Sequence, residues 1–421
     1  MSEAKPASTG GRDAGSDAIS IVQRGNLKAL ETTLRKQWRL GQNIVLCWSS
    51  TENGILVLLV PHYFLGNYSA ASDPVDEDSK EAFTRKLISG ERQKSRDEFF
   101  EVANRLGVSA TFIKLSTPLD GEPLVIEAVE QIIKRYGISY VSSRAVLLFD
   151  IAEFSLYTPF EQASQLNSLS YSLNSAYNKL LTKGIEINFA RTTTGDGYYV
   201  WNRNLSPGAN RDLLHFLLLV IADNAMAREA SKGNTVPLIR TAYHIGSHYE
   251  LYQAEGVNPT VFSYIVGDVT IELARMVDLA QPGQIFLGDF QVALEEGDEP
   301  TDTLGFLQYC SEACKTLLGI GFAGEEIEAM SCQASGTVDD AGNLAARRFI
   351  LTDKHGITRG AYNLQISIGT GGERTRDLGL DNDYLTAGAP EAEKESGGEE
   401  MVDGISVNKL QNRARKTVSE E

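Results

Sequence analysis

The chain has 421 residues and a formal net charge of −17, with 56 acidic against 39 basic side chains. Such a balance argues against a broad basic surface for nucleic acid, although local donors and a metal ion can still hold a small anion. Its length suits two or three domains, and 42% apolar with 23% charged residues is the composition of a soluble globular chain.

Residues 1–18 are rich in Ser, Gly and Ala, and the composition predicts disorder. They lack the apolar core of a secretory signal, so the expected location is cytoplasmic. Residues 19–142 read as an α/β domain of unknown role. "GNLKALETTLRKQWRLG" has helical spacing and a closing Gly. "NIVLCWSS" and "GILVLLVP" read as a hairpin around "TENG". The charged stretch Ser79 to Leu106 reads as helical, "ATFIKL" as a strand, and "EPLVIEAVEQIIKRYG" as a helix with Pro near its start and Gly after its end.

Residues 143–295 form the next block. "RAVLLFDI" reads as a buried strand and "PFEQASQLNSLSYSLNSAYNKLLTKG" as a long helix. "IEINFARTTT" and "YYVWNRN" flank a Gly-Asp-Gly turn as a hairpin. "NRDLLHFLLLVIADNAMAREASKG" is a second long helix with Asn210 as its expected cap. Its apolar run is too short to span a bilayer, so no membrane association is expected. "PLIRTAYHIGSHYELY" and "VFSYIVG" follow as strands, "DVTIELARMVDLA" as a helix and "GQIFLGD" as a strand. This order is α+β, a sheet covered by helices. Residues 296–370 include "RRFILTDKHGITRGAYNLQISI", two strands around an Asp-Lys-His-Gly turn. Residues 371–421 are acidic and Gly-rich, and read as a disordered tail. The four cysteines make no CxxC pair. Cys310 and Cys314 would share a helix face with no nearby His, so plain thiols are expected rather than zinc ligands.

Two aspartates stand out. Asp150 ends an otherwise apolar strand, and Asp196 sits at a hairpin tip in "RTTTGDGYYVW". A buried carboxylate must be paired, hydrogen-bonded or metal-bound. Two carboxylates side by side repel unless a dication neutralises them, and open two-carboxylate sites suit Mg²⁺ or Mn²⁺ with a polyphosphate. Each Asp also has a plain reading, as a strand-end cap or an ordinary Asp-Gly turn.

"LLFDIAEFSLYTPFEQ", "RTTTGDGYYVW" and "VGDVTIELARMVDLAQPGQIFLGD" together resemble, in order and spacing, the class III nucleotide cyclase catalytic domain over about residues 143–290. The resemblance implies a ferredoxin-like domain and two Mn²⁺ or Mg²⁺ ions per site, held by Asp150, Asp196 and the Ile151 carbonyl. It implies that the amide of Phe154 faces the triphosphate, and that Arg275 steadies the transition state. The substrate would be a nucleoside triphosphate, and the sites would lie at a homodimer interface. The purine-reading positions of that family are here Thr192 and Tyr264, the helix Asn is Ile271, and the Gly before the first-motif Phe is Glu153. Arg191 is a further candidate donor to a pyrimidine, although a regular strand would point it away from Thr192 and Asp196. The combination resembles the pyrimidine cyclases of bacterial Pycsar antiphage defence, which make cyclic UMP or cyclic CMP for a separate effector. "TDKHGITRGAYNLQI", with Lys354 and His355, resembles the sensor segment appended to such enzymes. An adenylate or guanylate cyclase with an atypical pocket, and a catalytically dead cyclase-like domain, remain alternatives.

Overall fold

The computed structural model describes residues 19–39, 43–70, 74–119, 121–254, 261–295, 297–338, 344–352, 356–371, 374–380 and 400–402. The readings of residues 1–18, of Lys354 and His355, and of most of the 371–421 tail lie outside them; within that tail, Arg374–Leu378 is a strand paired with Ile366–Thr370 rather than disordered. The chain divides into two compact units, residues 1–140 with 250–262, and residues 141–249 with 263–421.

The first unit contains helix α1 (Ile21–Arg39), strands β1 (Asn43–Thr51) and β2 (Gly54–Pro61), helices α2 (Phe64–Ala70), α3 (Pro74–Ile88) and α4 (Arg96–Leu106), strand β3 (Thr111–Lys114) and helix α5 (Pro123–Arg135). Its strands pair in the order β1-β2-β3. Leu30 and Leu34 of α1 and Val129 and Ile133 of α5 pack with Val45, Ile55 and Val57 into one core. The stretch from Ser79 to Leu106, read as helical, holds the end of α3 and all of α4, with a break between them. Gly90 takes φ 68°, and Arg92 is fully buried, donating from Nη1 to the Leu46 carbonyl at 2.9 Å. The Arg92 amide donates to Glu130, so the chain leaves the helical path to satisfy this pair. Helix α4 then restarts on a capping box between Ser95 and Glu98.

The second unit is built on strand β4 (Ile138–Ile151), most of which it contains, followed by α6 (Pro159–Thr182), β5 (Phe189–Thr193), β6 (Gly197–Asn202), α7 (Pro207–Ala230) and β7 (Ile239–Ala254). These strands lie in the order β7-β4-β6-β5. A β-α-β-β-α-β chain in that order is the ferredoxin-like arrangement. Strand β8 (Val261–Val266), helix α8 (Asp268–Leu279) and strand β9 (Ile285–Gly288) follow. Strand alternation divides β4 cleanly. Ala145, Leu147, Phe149 and Ile151 pack under α6 and α7 in the main core. Val146 and Leu148 face Val269, Leu273 and Met276 of α8 on the other side. Helix α7 begins at Pro207 on Ser206, not at the expected cap Asn210. Asn210 lies one turn inside, and its Oδ1 accepts the Ala145 amide at 2.9 Å.

The remaining elements are β10 (Gln291–Val292), β11 (Thr301–Asp302), α9 (Thr303–Ala313), β12 (Gly321–Phe322), β13 (Glu325–Ala334), β14 (Gly336–Val338), β15 (Leu344–Ala346), β16 (Arg348–Thr352), β17 (Thr358–Thr370), β18 (Arg374–Leu378) and β19 (Glu400–Val402). The two strands read in "RRFILTDKHGITRGAYNLQISI" are β16 and β17, paired antiparallel. Strand β17 also pairs with β9 through Ala361–Asn363 and with β13 beyond them. The 296–370 segment therefore extends the same sheet that carries the ferredoxin-like strands. Cys310, Cys314 and Cys332 are buried in the main core, and all four cysteines are free.

Candidate active site

The Gly-Asp-Gly turn is explained by its backbone. Gly195 takes φ 105°, a conformation that an L side chain rarely adopts. A Cβ on Gly197 would stand 1.9 Å from the Phe149 carbonyl oxygen, so only Gly allows β6 to approach β4 there. That approach pairs Asp150 with Gly197 across the ladder. The Ile151 amide then donates to the Asp196 carbonyl at 3.0 Å, and the turn is closed from Thr194 N–H to the Gly197 carbonyl. The strand end and the hairpin tip are thereby side by side, with Asp150 and Asp196 at adjoining backbone positions.

Asp150 belongs to the α8 face, opposite α6 and α7, by alternation with Val146 and Leu148. It is nearly buried, at 8% exposure. Its Oδ2 accepts Arg240 Nε at 2.9 Å, and Arg240 Nη2 as well. Burial raises the Asp150 carboxyl above its ordinary value; Arg240 opposes this, and the charges of Asp196 and Asp278 add to it. Thus one cation does not offset burial and two neighbouring anions. Asp196 is half-buried, and its Oδ1 accepts the Thr194 hydroxyl at 3.1 Å. Arg240 and Asp278 were missed in the sequence. Arg240 lies in an ordinary strand 90 positions from its partner, and Asp278 sits among the polar residues of α8.

The other expected residues divide. Thr192 faces the same side as Tyr199, its ladder partner, whose hydroxyl donates to the Thr270 carbonyl of α8 at 3.1 Å. Arg191 does not join them. No bulge interrupts β5, and Arg191 points to the α6 side, where its Nη1 donates to Ser170 Oγ at 2.9 Å. Tyr264 is half-buried on β8, and alternation turns it away from Ile265, which packs under α8. Arg275 lies 3.7 Å from Asp278 on its own helix. Ile271 is 49% exposed. The Phe154 ring packs on the main core, and its carbonyl accepts Gln162 Nε2 at 3.1 Å. Glu153, in place of the expected Gly, holds φ 56°, a left-handed conformation favoured by Gly.

The donors on offer are hard oxygens, which fit Mg²⁺ or Mn²⁺. Asp150 Oδ1 and Asp196 Oδ2 accept no hydrogen bond among the described residues. No group of three or more His, Cys, Asp or Glu is arranged to hold an ion among the described residues. A cation on Asp150 and Asp196 would therefore complete its shell with carbonyl, water or phosphate oxygens.

No protein-family model matches the chain, and no curated protein matches it. Several solved structures do. The guanylyl cyclase Cya2 shares 12% identity over 56% of this chain and 95% of its own, with a TM-score of 0.31. The adenylyl cyclase CyaB from P. aeruginosa shares 14% over 57% and 99%, also at 0.31. The catalytic core of a rhodopsin-guanylyl cyclase with converted specificity, in complex with ATPαS, shares 18% over 39% and 95%, at 0.29. The ferredoxin-like order stands on the strand pairing alone. Among the described residues, no helix is long and apolar enough to cross a membrane.

Proposed function

We propose that the chain is a metal-dependent nucleotide cyclase that converts UTP or CTP to the 3′,5′-cyclic monophosphate and pyrophosphate, as a signal read by a separate effector. The observation that carries this is the pairing of Asp150 with Gly197, which brings two mutually repelling carboxylates near each other. Arg240 pairs with Asp150 but does not cancel the repulsion, which a bound dication would relieve.

Asp150, Asp196 and the Ile151 carbonyl would hold the cation. A cation held there would lower the pKa of the ribose 3′-hydroxyl and offset charge on the phosphates. Arg240 supplies the site's other positive charge. Its Nη1 remains for a phosphate oxygen while Nε and Nη2 engage Asp150. Arg275, on α8, would act across a homodimer. Positioning and charge, rather than covalent chemistry, would carry the rate. Thr192 offers the base one short hydroxyl and no Lys or Glu, which supports a pyrimidine.

The test is incubation of the purified protein with ATP, GTP, CTP and UTP separately, with Mn²⁺, and mass spectrometry of the products. A cyclic pyrimidine monophosphate is expected. Cyclic AMP or cyclic GMP as the main product would refute the base assignment.

A further inference from the structure

Three of the four cysteines and one histidine meet inside the main core, away from the carboxylates. Cys310, Cys314 and His215 are fully buried, and Cys332 is nearly so. Cys310 lies on α9, and Cys314 opens a short 3₁₀ turn (Cys314–Leu317) that continues it. Cys332 is on β13 and His215 on α7. The expectation that no His lies near these thiols therefore fails, because α7 brings His215 in from 95 positions away.

The contacts are specific. The Cys332 amide donates to Ser311 Oγ at 3.1 Å. Ser311 and Cys314 are three positions apart, so they share the helix face that meets β13. The Gly319 amide donates to the Ile327 carbonyl at 2.8 Å, which fastens the chain after the turn to the same strand. The Cys314 and Cys332 thiols are hydrogen-bonded to each other. His215 Nε2 stands 3.1 Å from the Cys310 carbonyl oxygen. A carbonyl only accepts, so Nε2 carries the ring proton and Nδ1 keeps its lone pair. That Nδ1 is buried with no nitrogen or oxygen partner, and the Cys314 thiol is a donor within reach of the ring. No such group is arranged to hold a metal ion among the described residues.

We propose that Cys314 and Cys332 are a reversible oxidation site, with Cys314 as nucleophile, His215 as its base and Cys332 as the resolving thiol. The oxidant is a small neutral hydroperoxide, hydrogen peroxide itself in the simplest case. His215 Nδ1 takes the Cys314 proton, and the thiolate attacks one peroxide oxygen. The O–O bond breaks, Cys314 becomes a sulfenic acid, and the leaving hydroxide takes the proton from His215 and departs as water. The Cys332 thiol then attacks the Cys314 sulfur. The S–O bond breaks, a second water leaves and a disulfide remains. Two thiols are oxidised and one peroxide is reduced to two waters. The bond from Cys332, and then His215, hold the Cys314 thiol down against its burial, whereas Cys332 is pushed well up by that same bond and Cys310 by burial. One thiol of the three is thus singled out for attack. Lys315 and Thr316, which follow Cys314, are exposed, so local opening of one turn admits a molecule of this size. The cluster packs on the sheet face opposite Asp150 and does not rest on the proposed reaction.

Thiol counting and peptide mapping test this. The full-length protein, treated with hydrogen peroxide in native buffer and then alkylated in denaturant, should lose two of its four free thiols. Digestion should yield one peptide pair joined through Cys314 and Cys332, and dithiothreitol should restore both thiols. Cys314→Ser should keep its remaining thiols, and Cys310→Ser should still form the bond. His215→Gln, whose amide can still donate to the Cys310 carbonyl, should react about tenfold or more slowly at neutral pH. It should regain rate as pH is raised, a recovery that a merely structural defect would not give. The proposal is overturned if the parent keeps all four thiols, if Cys47 or Cys310 is found in the joined pair, or if Cys314 stops at a sulfenic or sulfinic acid. It is also overturned if a folded His215→Gln reacts at the parent rate. None of these readouts depends on cyclase activity, so failure here and failure of the proposed function are distinguishable.

Discussion

Asp150→Asn should make the metal-free protein more stable and the metal-loaded protein relatively less so. In the folded chain the Asp150 carboxyl is raised, chiefly by burial and further by Asp196 and Asp278, against the pull of Arg240. A group whose folded pKa is raised binds its proton more tightly when folded. Stability then falls as pH rises from the unfolded value through the folded value, and the cost is complete above it. At neutral pH the ionised carboxylate therefore destabilises the fold, and a neutral Asn removes that cost. Arg240 loses its partner, but its side chain is 26% exposed and can be solvated. The net gain should be about 1 kcal/mol, the usual scale of a single substitution. The gain should shrink as pH is lowered and Asp150 becomes protonated. Mn²⁺ at about a hundred times its dissociation constant should stabilise the parent by about 2.7 kcal/mol. It should do little for the variant. Thermal unfolding with and without Mn²⁺ reads both effects. A variant less stable than the parent without metal, or equally stabilised by Mn²⁺, would refute the reasoning.

Glu153→Gly should raise stability by about 0.5–1 kcal/mol in urea unfolding, because Glu153 holds φ 56° at a left-handed cost that exceeds the entropy Gly loses. Gly197→Ala should cost about 2 kcal/mol or more and lower product formation, since its Cβ would stand 1.9 Å from the Phe149 oxygen; denaturant midpoints and a product assay check this together. Thr192→Lys should shift the product ratio towards a cyclic purine monophosphate, read by competition between ATP and UTP. An unchanged ratio would remove this position from base recognition.

The two aspartates of the candidate site were legible because each is unusual for its place. An Asp closing an apolar strand and another in a Gly-framed turn are conspicuous, and the pairing of β4 with β6 brings them together. Arg240 was not legible, since no local signal says that a strand Arg reaches back 90 positions. The cap of α7 was readable and misplaced. Pro207 marks the first helical position and so points to Ser206, one turn before Asn210. The break after α3 was half-written. Ser95 and Glu98 spell a capping box, but the burial of Arg92 depends on carbonyls distant in sequence. Strand identity in β16 and β17 was clear, whereas their place in the main sheet was not, because alternation predicts strands and not their partners.

Asp196→Ala offers the most direct test of the account. The Asp196 side chain accepts one hydrogen bond from Thr194, while its backbone carbonyl holds the Ile151 amide, so the fold should survive the change. Parent and variant should be compared with UTP and CTP in Mn²⁺, with products identified by mass spectrometry and folding checked by circular dichroism. The account predicts a cyclic pyrimidine monophosphate from the parent and a folded variant that makes none. A variant that cyclises at the parent rate would contradict the two-aspartate site, and with it the central claim.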